Sequence, residues 1–391
     1  MRIVLAASSY HPRIGGVEQH VASVAHALRR RGHTVAVWAV DRGDAEAHRE
    51  DGIEVRYLPT PLPARSMRSA ARFAAAAPGA LRAWNRALRS DRPDVIDIQC
   101  FGPNGPWSLA AARIHSIPVI YSNHGETYMD ADHVFAKSAL LRRALRFAVQ
   151  HTNVTTCSPH AGRDLAQFGA TAQPTVVGNG ILLDILREPV EHPLPPRFIA
   201  GVGRLVENKG FATLIRAFAL AVSKNSVDGT ELVIAGEGPE WEKLRQLASD
   251  LHIADRVHLI GPLRQGQVAT LLDHAVVQVI PSRIEAFGIV ALEGWRSATP
   301  LIATNGGGIA DLIDDGVDGI LFPPDDPASL TDALIRVLDD KPLRVRLAER
   351  GHQRVSSESF TWNHIAEAYE EVFIHALRSS NPRGRRLRRN W

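Results

Sequence analysis

The sequence predicts an α/β protein of two successive domains, each a parallel sheet covered by helices on both faces. Three observations predict it. At 391 residues the chain exceeds what one hydrophobic core usually serves and sits where chains divide in two. Short apolar runs alternate with helical patterns through both halves, as expected of parallel strands joined by crossover helices. Between the halves, residues 184–197 carry Pro189, Pro193, Pro195 and Pro196, which suit neither a helix nor a central strand.

In the first half the strand-like runs are residues 3–7, 33–40, 53–58, 95–99, 119–122 and 153–158. Val17, Val21, Val24 and Leu28 recur at helical spacing between the first two runs, and Gly32 stops the helix, so the chain opens on a βαβ unit. After the proline-rich linker the alternation restarts with 198–202, 231–235, 257–260, 276–280, 301–304 and 319–322. Helical patterns fill 327–339 and 343–356, and a last one runs from 361 to 378. The expected domains are 1–186 and 197–360, followed by that helix and a basic tail, 379–391. Open α/β sheets bind ligands at the carboxyl ends of their strands, so the chemistry is expected in a cleft between two such domains.

Composition removes several classes of function. With 45% hydrophobic and 22% charged residues the chain can build a core, which excludes a disordered or fibrous protein. No run approaches the roughly 20 apolar residues of a membrane span. The first residues, 1–7, read as a strand with no cleavage-site pattern after it, so a cytoplasmic location is expected and the sequon at Asn153-Val154-Thr155 carries no weight. Cys100 and Cys157 are the only cysteines, too few for a disulfide framework or a structural zinc cluster. The net charge of +3 hides a bias in kind, because lysine occurs only at 137, 209, 224, 243 and 341 while arginine is abundant. A lysine inside a motif therefore stands out from background.

Two strand-to-helix junctions in the second half carry the chemistry. The first, Gly203-Arg204-Leu205-Val206-Glu207-Asn208-Lys209-Gly210, follows a strand and precedes a helical pattern over 211–222. Arg204 offers a planar fork of donors and Lys209 a compact charge, which together suit a diphosphate without a divalent metal. Flanking glycines let the backbone approach such a ligand, although a solvated loop fits the same residue types.

The second junction is Ser282-Arg283-Ile284-Glu285-Ala286-Phe287-Gly288-Ile289-Val290-Ala291-Leu292-Glu293, with the helix expected to open near Gly288. The free amides of Phe287, Gly288 and Ile289 then point out of a helix N-terminus, where donors and dipole both favour a phosphate. Glu285 precedes this helix and Glu293 lies within it. Two carboxylates beside a phosphate site repel the ligand unless they accept hydrogen bonds from hydroxyls, which a sugar and a ribose supply. Taken singly, either glutamate also fits an ordinary helix-start role.

Glu285 and Glu293 resemble the E-x7-E motif of retaining glycosyltransferase family 4, whose GT-B fold sets two Rossmann-like domains face to face across a cleft. Arg204 and Lys209 match that family's paired diphosphate-binding cations. Four further matches extend the resemblance over almost the whole chain: Gly15-Gly16-Val17-Glu18, His124-Gly125, Gly236-Glu237-Gly238-Pro239-Glu240 and Asn305-Gly306-Gly307. By resemblance, Gly16 lets the first loop approach the donor phosphate and His124 lies beside the transferred sugar. Glu285 holds the sugar hydroxyls, Glu293 the ribose, and the loop at Glu237 frames the base.

The implied reaction retains anomeric configuration: the leaving diphosphate, stabilised by Arg204 and Lys209, takes the acceptor's proton on the face the acceptor attacks. No cofactor and no metal are implied. The donor expected first is a UDP-sugar and second GDP-mannose, with a saccharide, lipid-linked or natural-product acceptor on the first domain. The last helix is expected to cross back onto that domain, as in relatives.

The chain departs from the family pattern at Gln99, where many relatives carry histidine, and at Leu182, where many carry aspartate; both bear on acceptor-side contacts. Asp130-Ala131-Asp132 resembles a metal-binding D-x-D, but three residues recur by chance and the cationic loop already supplies the charge, so it reads as an acceptor-side loop without metal. Arginines cluster at 65, 68, 72, 82, 86 and 89, at 142, 143 and 146, and at 383, 385, 386, 388 and 389. Such clusters suit peripheral contact with anionic lipid or simple solvation.

Three rival readings start from the same residues. A nucleotide-sugar epimerase would bind the same donor without an acceptor. A dehydrogenase lacks support because no G-x-G-x-x-G follows the first strand, although Asp41 ends the second. A nucleic-acid-binding protein using the basic tail leaves the ordered motifs without a role.

Overall fold

The computed structural model describes residues 1–13, 15–43, 46–63, 66–129, 134–227 and 229–380. Arg65, the Asp130-Ala131-Asp132 triplet and tail residues Arg383, Arg385, Arg386, Arg388 and Arg389 lie outside them. The chain divides into two units: residues 1–180 joined by the segment from Trp362 onward, and residues 181–361.

The first unit runs β1 (Arg2–Ala7), α1 (Gly16–Arg30), β2 (Thr34–Val40), β3 (His48–Glu50), β4 (Ile53–Leu58), α2 (Met67–Asp91) and β5 (Val95–Gln99). It continues through α3 (Asn104–His115), β6 (Val119–Asn123), α4 (Val134–Lys137), α5 (Ala139–His151), β7 (Asn153–Thr156), α6 (Pro159–Asp164) and β8 (Thr175–Val176). Among the described residues these strands form one sheet ordered β3-β4-β2-β1-β5-β6-β7-β8, with only β3 antiparallel. The alternation of side chains along β1 explains the layers. Ile3, Leu5 and Ala7 enter the core under α1, whereas Val4 and Ala6 enter the one under α2 and α3. The polar, exposed β3 and the two-residue β8 carry no apolar pattern and were not legible in advance.

The second unit runs β9 (Phe198–Val202), α7 (Phe211–Ser223), β10 (Glu231–Ala235), α8 (Trp241–Asp250), β11 (Val257–Leu259), α9 (Gln265–His274) and β12 (Val277–Ile280). Then come α10 (Ile289–Arg296), β13 (Leu301–Thr304), α11 (Ile309–Leu312), β14 (Ile320–Phe322), α12 (Pro327–Asp339) and α13 (Lys341–Val355). Its parallel sheet is ordered β11-β10-β9-β12-β13-β14. The order reverses between β9 and β12, as it does between β1 and β5 in the first unit, and such switch points open a crevice at the strand ends.

The last helix, α14 (Trp362–Ser380), belongs to the first unit. Ile365, Tyr369, Phe373 and Ala376 fall on one face at helical spacing and are buried with Val21, Val24 and Leu28 of α1. Burying each of the large side chains is worth roughly 1.5–3 kcal/mol, which is what fastens the helix there. Arg31 adds an ion pair to Glu370 at 2.8 Å.

The units part at Gly180 and Ile181, not inside the proline-rich stretch. That stretch is irregular, as its prolines require, but it is fixed to the second unit. Arg187 pairs with Asp273 at 2.9 Å, Glu188 with Arg264 at 2.7 Å, and Val190 and Leu194 pack against the core beside β9. Prolines barred regular structure there; they said nothing about which core the segment would join.

Of the arginine clusters, Arg68, Arg72, Arg82, Arg86 and Arg89 are exposed on α2. Arg142 is not a free surface cation: it is partly buried and donates to the Phe135 carbonyl at 3.2 Å. No helix among the described residues is long and apolar enough to cross a membrane.

Candidate functional site

At the switch point of the second sheet, four loops lie at the carboxyl ends of β9, β10, β12 and β13. Their backbones interlock. Leu205 donates its amide to the Glu237 carbonyl at 2.8 Å, Arg283 to the Asn208 carbonyl at 2.9 Å, and Glu285 to the Gly306 carbonyl at 3.0 Å. Glycine is needed where they touch. Gly210 has φ 66°, and a Cβ there would sit 1.9 Å from the Pro281 carbonyl oxygen; one on Gly307, at φ 90°, would sit 2.3 Å from that of Glu285. The Asn305-Gly306-Gly307 motif thus lets the β13 loop run against the Glu285 backbone.

The loop after β9 carries Arg204, which is exposed and whose guanidinium has no partner among the described residues. Lys209 behaves differently from a free cation. Its Nζ donates to both carboxylate oxygens of Glu285, at 2.7 and 3.0 Å. Two residues read from the sequence as separate ligand contacts are therefore ion-paired, with side chains only 18% and 11% exposed. The neighbouring Arg283 is taken up by Asp325, at 2.9 Å, and by Glu207.

Helix α10 starts after Gly288, whose left-handed φ of 93° turns the chain out of the β12 loop. The amides of Phe287, Gly288 and Ile289 donate to no acceptor among the described residues, so this helix start presents free donors. Glu293 follows within α10 and is partly buried; burial pushes its carboxyl up, and the nearby Arg296 pulls it partly back. Glu237 has an exposed side chain and contributes its carbonyl to the loop contact with Leu205. The second unit thus gathers Arg204, Lys209, Glu285, Phe287, Gly288 and Ile289 around its switch point.

In the first unit, Gly16 is the exposed first residue of α1, directly after the β1 loop. His124 follows β6 and is partly exposed. Its amide donates to Glu126 Oε2 at 2.8 Å, and its ring Nε2 lies 2.6 Å from Gln99 Oε1 at the end of the adjacent β5. Burial and, secondarily, the neighbouring His20 hold the His124 ring well below the usual histidine range. Gln99 is itself buried and donates to Asp97 Oδ2 at 2.6 Å, while Ser122 donates to Asp97 Oδ1 at 2.7 Å. Burial raises Asp97 to about 7 against the pull of those two hydrogen bonds.

Asp97, Glu126 and Arg296 escaped the sequence reading. Asp97 and Arg296 left a signal, since each is a charged residue inside a largely apolar element, β5 and α10 respectively. Glu126 left none. Its carboxylate accepts from the Phe101 amide at 2.6 Å and the Tyr121 hydroxyl at 2.8 Å, contacts made only in the folded chain.

Solved structures share this architecture. The sucrose-phosphate synthase of Thermosynechococcus elongatus matches at a TM-score of 0.80 and 20% identity, covering 97% of this chain and all (100%) of that one. Anabaena HepE, solved in complex with UDP-glucose, matches at 0.76 and 18%, covering 95% and 99%. Two Rossmann-like parallel units of this kind are the GT-B fold of glycosyltransferases. The family models "Glycosyltransferase Family 4" and "Glycosyl transferases group 1" match residues 14–184 and 184–354. A glycogen synthase of Mycobacterium tuberculosis is 29% identical over 406 aligned positions, 97% of this chain and 95% of that relative. The chain belongs to glycosyltransferase family 4 and is a glycosyltransferase.

Proposed function

We propose that this enzyme transfers a sugar from a UDP-sugar to a hydroxyl of a saccharide or lipid-linked acceptor, with retention of anomeric configuration and without a divalent metal. The observation that carries the reading is the set of positive groups at the switch point of the second unit: Arg204 unpartnered, Lys209 held by Glu285, and three free amides at the start of α10. Together they offer a diphosphate both charge and directed donors. In this reading the arriving diphosphate draws Lys209 away, and the released Glu285 carboxylate accepts from sugar hydroxyls. Glu293 accepts from the ribose, and the loop at Glu237 borders the base.

The solved relative holding UDP-glucose supports a UDP-sugar over GDP-mannose, and the relative named as a glycogen synthase supports a saccharide acceptor. The first unit is assigned the acceptor, with Gly16 approaching the donor phosphate and His124 beside the transferred sugar. Positioned cations that stabilise the leaving diphosphate let its oxygen take the acceptor's proton on the attacked face, which accounts for retention without an enzyme nucleophile. We place the reaction in the cytoplasm, where the exposed arginines of α2 suit peripheral contact with anionic lipid.

A thermal-shift comparison of UDP, GDP, ADP and TDP in EDTA tests the site, because a ligand that binds only the folded state raises the melting temperature. UDP should stabilise wild type without metal, and Lys209→Ala and Glu293→Ala should lose that stabilisation. Equal stabilisation of both variants would dismiss this site, and a requirement for a divalent ion would dismiss the metal-free reading.

A further inference from the structure

Gln99 is buried with an amide that can face its neighbours in two ways, and the chemistry on one side chooses between them. Toward the interior it meets Asp97 Oδ2 at 2.6 Å. That carboxylate already accepts from Ser122 Oγ on its other oxygen, and Ser122 Oγ in turn accepts from Thr155 Oγ1 at 2.8 Å. Once ionised, above its raised value of about 7, Asp97 can only accept, so the amide then turns its NH2 inward. Its carbonyl oxygen is then fixed outward, 2.6 Å from His124 Nε2. An amide oxygen accepts only, so the contact requires a proton on Nε2.

We propose that Gln99, oriented by Asp97, is a positioning residue that holds His124 in the Nε2–H tautomer and leaves Nδ1 as a lone-pair acceptor for a sugar hydroxyl. The assignment of that hydroxyl rests on the function proposed above; the tautomer does not. Several features of the surroundings agree. Nδ1 of the partly exposed ring has no partner among the described residues. Burial and the adjacent His20 disfavour a second ring proton, so fixing Nε2–H also fixes the lone pair on Nδ1.

His20, whose ring centroid lies 4.6 Å away, is locked in the opposite form. Its Nδ1 faces Asn179 Oδ1 at 2.6 Å and its Nε2 faces the Tyr369 hydroxyl at 3.0 Å. Both His20 nitrogens are thus engaged with Asn179 and Tyr369, not with the His124 ring.

The test is long-range proton–nitrogen correlation NMR on the full chain labelled with [15N]histidine, with His124 assigned by its loss in His124→Phe. In wild type above pH about 8, where Asp97 is ionised, Nε2 should read as the protonated, pyrrole-like nitrogen and Nδ1 as the pyridine-like one. In Gln99→Met, which keeps the volume and removes both ends of the amide, both tautomers should appear. A wild-type ring protonated on Nδ1, or an unchanged tautomer in Gln99→Met, overturns the proposal. The wild-type spectrum decides even if the variant folds poorly.

Adding UDP-glucose should shift Nδ1 toward a hydrogen-bonded value while UDP alone does not; equal shifts with both overturn the hydroxyl contact. Absence of any UDP binding, with the Nε2–H form intact, removes the UDP-sugar reading and leaves the tautomer assignment standing.

Discussion

Removing Lys209 should do two separable things. The ammonium makes two charge-assisted hydrogen bonds to Glu285, at 2.7 and 3.0 Å, with side chains 18% and 11% exposed. Across such a distance the gross attraction is about 5–6 kcal/mol at an effective dielectric of about 20, and desolvation of both groups cancels much of it. Breaking a fully buried pair from one side costs about 3–5 kcal/mol; the residual exposure here lowers that to about 2–3 for Lys209→Met and about 1–2 for Glu285→Gln. The double variant strands neither charge and should cost only about 1 kcal/mol, giving a coupling of about 2–4 kcal/mol.

Hydrogen exchange of the full chain, read over residues 203–216 and 281–300, reports the local stability that these values describe. The same Lys209→Met protein should bind UDP-glucose about 10–100-fold more weakly, because a charge-assisted contact to the diphosphate is missing. A coupling below about 0.5 kcal/mol would show the pair to be energetically idle. Wild-type affinity in Lys209→Met would refute the exchange of Glu285 for a diphosphate.

Two further outcomes follow from buried charges. Asp97 has its folded-state value raised to about 7. A raised acid binds its proton more readily when folded, so its contribution is present at low pH and is lost as pH rises from about 4 to about 7, by about 1.4 kcal/mol per unit. His20 runs the other way: burial lowers it to about 4, so its stability is lost as pH falls through the interval from about 6.5 to about 4. Urea unfolding of Asp97→Asn should therefore show a steeper loss on acidification than wild type and a relative gain above pH about 7, and parallel curves would exclude the titration of Asp97. Arg296 is only 6% exposed, with Nε and Nη2 lacking partners among the described residues and one bond from Nη1 to the Leu182 carbonyl at 3.3 Å. Arg296→Met keeps most of the volume and removes the stranded donors, so its melting temperature should equal or exceed wild type, by up to about 2 kcal/mol in stability; a loss of that size would mean that the guanidinium has a partner in solution.

The sequence by itself determined the alternation of strands and helices, because hydrophobic periodicity and helix stop signals are local and survive in the order of residues. Strands β4, β5, β9, β10 and β13 begin and end where their apolar runs do, and the other expected strands do so within one or two residues. It also determined which loops carry the candidate chemistry, since glycines, cations and carboxylates at strand ends are legible wherever the chain turns.

Only the tertiary structure decided which of those groups are free. Lys209 and Glu285 are 76 residues apart and meet because β9 and β12 are neighbours at the switch point, so a cation expected to await a ligand is already paired. His124 and Gln99 meet in the same way across β6 and β5, which turned a departure from the family pattern into the partner of a candidate site residue. The segment 184–197 joined the second unit because its side chains found partners there, which no proline count could state. Local order follows from neighbours along the chain, whereas charge state, tautomer and pairing follow from neighbours in space.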